Sequence, residues 1–98
     1  MEKITKPNVR SIATGKKLVA KQMQAKAGDL LPKHIADVES LLFIHEGECI
    51  LHMNDEEIVL KQGEGHIIPP NTKHQIKVTT DFKGLHFMPV EIKFEFFD

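Results

Sequence analysis

A chain of 98 residues with 41% hydrophobic and 28% charged side chains suits one modest core and shows no bias towards disorder or a fibrous repeat. Its 13 basic and 14 acidic residues nearly cancel, to a net charge of −1, and Lys16-Lys17 is the only adjacent basic pair, so nothing offers a nucleic-acid backbone an electrostatic footprint. The opening MEKITKPNVR lacks an apolar leader, and the longest apolar run, 41–44, is far too short to span a bilayer, which makes a cytoplasmic protein with no membrane partner the expectation.

In chain order, breaks at Gly15, Gly28, Pro32, Gly47, Gly63, Gly65, Pro69-Pro70 and Gly84 leave no room for a helix. Between them lie short runs rich in β-branched and apolar residues, at about 18–25, 40–46, 48–53, 57–60, 65–68, 74–79 and 85–88. Short strands at near-regular spacing predict an all-β barrel or sandwich. Asn54-Asp55 tolerates positive φ, so the runs on either side of it should pair as an antiparallel hairpin. Within them Leu42, Ile44, Leu51 and Met53 alternate as the inward set, which turns His45 and His52 outward. Pro69 and Pro70 have no backbone N–H and must stop the strand ending at Ile68, after which a second hairpin, 65–79, is expected. The tail alternates Ile92, Phe94 and Phe96 with Glu91, Lys93 and Glu95, as a strand over about 91–97 with one oily face and no evident partner. Pairing with a second copy would cover that face, so a homodimer is expected. Cys49 has no second cysteine for an internal disulfide, and its place in a strand makes it a small packing residue.

The stretch GDLLPKHIADVESLLFIHEGE, followed by GEGHIIPPNTKH, resembles the two sequence motifs of the cupin superfamily over about half the chain. Gly28, His34 and Gly47 fall in register with the first motif, and Gly63, Pro69 and His74 with the second; Asn71 stands where the family has a glycine and Val78 where it has a final asparagine. The resemblance implies a double-stranded β-helix, or jelly-roll barrel, as a single domain over 1–98, with its core motifs at about 28–88. It also implies a damaged metal site. The positions of the second histidine and of the glutamate are Ala36 and Ser40, so two of the four family ligands are missing. Two imidazoles fall short of the three protein donors that catalytic zinc or non-haem iron takes, and no tightly bound metal is expected; weak zinc, nickel, iron or manganese binding at His34 and His74 is the most they support.

Residues two apart on a strand share a face, so His34, Ala36 and Ser40 would point into one barrel if the chain stays extended through 37–39, with His74 closing the set. These four residues are the expected ligand pocket. His86 is the candidate third metal donor, on a side of its strand that alternation leaves open, as it does for His66. Glu39 is a weaker candidate, one residue out of phase with the family glutamate and so facing outward. The expected function is binding of a small organic molecule at His34 and His74. The alternatives are a metal-dependent enzyme of dioxygenase or isomerase type with a third donor outside the motif, and metal-free acid/base catalysis by one imidazole. Whether any reaction is catalysed stays open.

Overall fold

The computed structural model describes residues 3–97. Ten strands follow one another: β1 Asn8–Thr14, β2 Leu18–Ala25, β3 Lys33–Ala36, β4 Ser40–Glu46, β5 Glu48–Met53, β6 Glu56–Lys61, β7 Gly65–Ile68, β8 His74–Val78, β9 Phe82–Pro89 and β10 Phe94–Phe97. They form two five-stranded antiparallel sheets, in the orders β1-β2-β9-β4-β7 and β10-β3-β8-β5-β6. This is an all-β jelly-roll barrel, and no helix of the described residues is long and apolar enough to cross a membrane.

The inner faces meet in one apolar cluster in which Ile44, Cys49, Leu51 and Val78 are wholly buried, with Leu42, Ile68 and Phe82 beside them. Strand alternation places them there, and the inward phase expected for Leu42, Ile44, Leu51 and Met53 is observed. Asn54 and Asp55 both take positive φ, 54° and 60°, in the two-residue turn that pairs β5 with β6. Asn71 has φ 58°, and its N–H reaches the carbonyl of Ala36 at 2.7 Å. Gly47 has a second constraint besides its φ of 83°: a Cβ there would lie 2.9 Å from the Cα and Cβ of Phe82, so the β4–β5 turn closes onto β9 only without a side chain.

Four expectations need correction. The chain does not stay extended from His34 to Ser40: β3 stops at Ala36, residues 37–38 bend, and β4 continues in the other sheet. Residues 65–79 are not a hairpin, because β7 pairs with β4 while β8 pairs with β5 and β3. The two prolines that end β7 also start a crossover between sheets. The tail strand is shorter than expected, since Ile92 belongs to a turn whose N–H meets the Pro89 carbonyl. It also has a partner in its own chain: β10 pairs with β3, placing Phe94 opposite Ala36 and Phe96 opposite His34. That pairing gives the strand a neighbour, and Phe94 and Phe96 touch the His34 ring, but both stay exposed, at 37% and 63%, so the oily face from which a homodimer is expected is still there.

β1 had no counterpart among the expected runs. All seven of its residues are exposed, so it pairs with β2 along the sheet edge without the buried alternation that marks a strand.

Candidate functional site

The site grows from three adjoining strands. His34 on β3 lies directly across from His74 on β8. Their rings meet edge to face, 4.3 Å between centroids at 71°. On β9 the buried residues Phe82, Gly84 and Met88 set the inward phase, and His86 shares it. The side of the strand that alternation left open is therefore the interior, and His86 Nε2 is hydrogen-bonded to Ser40 Oγ at 2.9 Å. His66 is in phase with buried Ile68 and stands across from inward Leu42.

Two backbone carbonyls fix the imidazole tautomers. His34 Nδ1 is 3.3 Å from the Pro32 carbonyl and His74 Nδ1 is 2.9 Å from that of Thr72. A carbonyl only accepts, so each neutral ring carries its hydrogen on Nδ1 and keeps a lone pair on Nε2. His34 Nε2 is buried with no hydrogen-bond partner. Burial, reinforced by the neighbouring His74, pushes the His34 pKa down to about 4 against the opposing pull of the Pro32 carbonyl. Burial does the same to His86, again to about 4, helped by His34, His74 and Lys21. His74 is also lowered by burial, with its bond to Thr72 opposing. Near neutral pH the group is thus three uncharged imidazoles.

Above the histidines lies a cavity of about 730 Å³. Met23, Leu31, Ile76 and Met88 make its apolar wall, and Phe94 and Phe96 of β10 roof one side. The ring of Phe94 stands 5.2 Å from that of His34 and 6.2 Å from that of His86; Phe96 is 5.3 Å from His34. The polar groups on the wall are His34, His86, Lys21 and, at the rim, Lys6. A second hollow, of about 670 Å³, lies by the Asn54–Asp55 hairpin, and its lining includes Lys33, Lys73 and Lys77 as well as Asp55, Glu56 and Glu57.

The cupin domain pattern matches residues 21–90, well over half of the chain. The chain belongs to the cupin family. No curated protein matches it. Among solved structures, a salicylate 1,2-dioxygenase from Pseudoaminobacter salicylatoxidans superimposes with a TM-score of 0.80 at 16% identity, covering 90% of this cupin but 29% of the dioxygenase chain. This cupin therefore spans less than a third of that enzyme. A cupin superfamily protein from Desulfitobacterium hafniense gives 0.75 at 19% identity, with 91% and 84% of the two chains covered. A conserved protein of unknown function from Streptococcus pyogenes gives 0.75 at 15% identity, with 84% and 72% covered. At these identities the likeness is one of fold.

Many cupins hold a metal at the position of these histidines. Two Nε2 lone pairs, one of them without a partner, suit one. The rest of the donor set does not. His86 Nε2 is engaged by Ser40, Glu39 is exposed between the bend and β4, and among the described residues no carboxylate lines the cavity. Among the described residues no group of three or more His, Cys, Asp or Glu side chains is arranged to hold a metal ion. The residues present do not fit a three-donor centre.

Of the four residues expected to line the pocket, His34 forms its wall. Ala36, Ser40 and His74 are buried behind it, at 2%, 5% and 4% exposure. They position the wall: Ser40 holds His86, His74 supports His34, and Ala36 leaves room for Phe94 across the strand pair. Sequence reasoning missed Lys21, Met23, Phe94 and Phe96 as site residues. The tail stripe was the available signal for the phenylalanines. For Lys21 only the pairing of β2 with β9, which sets it directly opposite His86, reveals the inward side.

Proposed function

We propose that this cupin binds a small organic molecule in the cavity between β2, β9, β3 and β10, with His34 as its polar contact. The observation that carries this reading is a largely apolar cavity with the His34 ring on its wall, the Nε2 of that ring lying shielded beneath the lining without a partner. A buried acceptor without a donor costs on the order of 1–3 kcal/mol, which a ligand O–H or N–H would recover once the side chains covering that nitrogen give way. The volume of about 730 Å³ lies within the range of small-molecule sites. The apolar side chains would supply affinity and His34 orientation.

The ligand would lie against His34, His86 and the β10 phenylalanines rather than between His34 and His74. No metal takes part in this binding, since the residues present do not complete a three-donor set. Any metal would sit weakly on two imidazoles.

Methyl NMR of Met23 and Met88 tests the proposal by titration with a fragment set of neutral, cationic and anionic organic molecules. Binders should move both methyl signals and lose at least tenfold in affinity in His34→Leu. A set that moves neither methyl group, or moves them equally in the variant, would refute it.

A further inference from the structure

The cavity that carries the proposed binding function has a one-sided charge. Lys21 lies on the inner face of β2, across from His86, and Lys6 stands at the rim where Ile4 bridges to Leu30. Among the described residues no aspartate or glutamate is on the wall and no carboxylate forms an ion pair with Lys21. The neighbouring imidazoles are neutral near pH 7 and neither cancel nor add to that charge. Lys21 is half-buried, sharing the cavity wall with Met23 and Met88, and has no carboxylate partner among the described residues. The mixed-charge hollow at the Asn54–Asp55 hairpin shows the contrast: there each lysine has acidic neighbours on the same wall.

We propose that the ligand of this cavity is a small organic anion, a monocarboxylate with an apolar body, its carboxylate held by Lys21 and its body against Met23, Met88, Phe94 and Phe96. This rests on the cavity being a ligand site and adds the class of ligand. An ammonium–carboxylate pair gains strength where apolar walls exclude water, and the ligand's charge supplies a counter-ion that Lys21 lacks among the described residues. The aromatic rings of β10 favour a flat apolar body over a branched one. Lys6, being exposed at the rim, attracts the anion at longer range and contributes less to holding it.

The test pairs 2-naphthoate with 2-naphthalenemethanol, which share a body and differ in charge, followed at pH 7.5 by the Met23 and Met88 methyl signals in the full chain. The acid should bind at least tenfold more tightly than the alcohol. Lys21→Met should remove that preference, bringing acid and alcohol to the same affinity, while Lys21→Arg should keep most of it; circular dichroism of each variant checks the fold. Equal binding of acid and alcohol would overturn the anion assignment and leave the cavity standing as a site. An acid preference that survives Lys21→Met in a folded variant would overturn the role of Lys21. If neither compound moves either methyl group, the anion assignment and the binding site fall together.

Discussion

The two halves of this barrel solve opposite problems with the same strands. Around Ile44, Cys49, Leu51 and Val78 the interior is apolar and wholly buried, and nothing there is left unpaired. Elsewhere in the interior, three imidazoles on β3, β8 and β9, one of them with a buried nitrogen that has no partner, and Lys21 on β2 take the inner positions. The first half repays the entropy of ordering the chain by burying apolar surface. The second gives up part of that gain to hold polar groups ready. Stability should therefore reside in one half and ligand chemistry in the other.

The largest effect should come from the closed half. Leu51→Ala removes a wholly buried side chain that has no room to relax, and should cost about 3 kcal/mol in urea unfolding while leaving cavity ligands at their affinity in the folded fraction. A cost below about 1 kcal/mol would blur the division between the halves.

Acid should act on the open half. His34 and His86 bind protons less readily folded than unfolded, with pKa values near 4 against 6.5, so the unfolded chain takes up more protons between those values. The stabilisation is complete above pH 6.5 and is lost as pH falls towards 4. Its total is on the order of 3 kcal/mol once solvent screening of these part-exposed rings is allowed for. Urea midpoints should fall across that window, and replacing both rings in His34→Leu/His86→Leu should flatten the curve. A wild-type midpoint that stays constant from pH 6.5 to 4 would contradict the picture of buried neutral imidazoles.

Restoring a metal set sharpens the comparison further. Ala36 faces Phe94 across the strand pair, so Ala36→His with Ser40→Glu should gain little zinc affinity while that ring stands there. Adding Phe94→Gly should raise affinity at least tenfold over the double variant, or about 1.4 kcal/mol, by calorimetry. Tight zinc binding by the double variant alone would show that Phe94 does not take up the space of the lost histidine. The smallest effect on stability belongs to Phe96→Ala. Its ring is 63% exposed, so unfolding should change by less than about 1 kcal/mol, whereas binding of 2-naphthoate should weaken several-fold.

The closed half was the legible one. Leu42, Ile44, Leu51 and Met53 announce their burial by a period of two, and the Asn54-Asp55 and Asn71 backbones follow from residue chemistry. The resemblance carried by Gly28, His34, Gly47, Gly63, Pro69 and His74 reached the family and the floor of the site. What escaped were facts of pairing between distant segments. Nothing local to Lys33–Ala36 says that it ends one sheet, or that Phe94–Phe97 will be its neighbour. The direction of His86 and Lys21 depends on the register of β9 between β2 and β4, which rests on contacts some 40 to 65 residues apart in the chain. β1 escaped for a different reason, since a strand exposed along its whole length leaves no pattern to read.

Cys49 ties the closed half to a measurable rate. Its thiol is wholly buried, and burial together with the adjacent Glu48 carboxylate pushes its pKa up to about 12, so the folded chain presents no thiolate to a reagent. It is also the sole cysteine of the chain. Alkylation must therefore wait until β5 parts from β6 and β8, and the pace of labelling becomes a clock on how often the barrel opens.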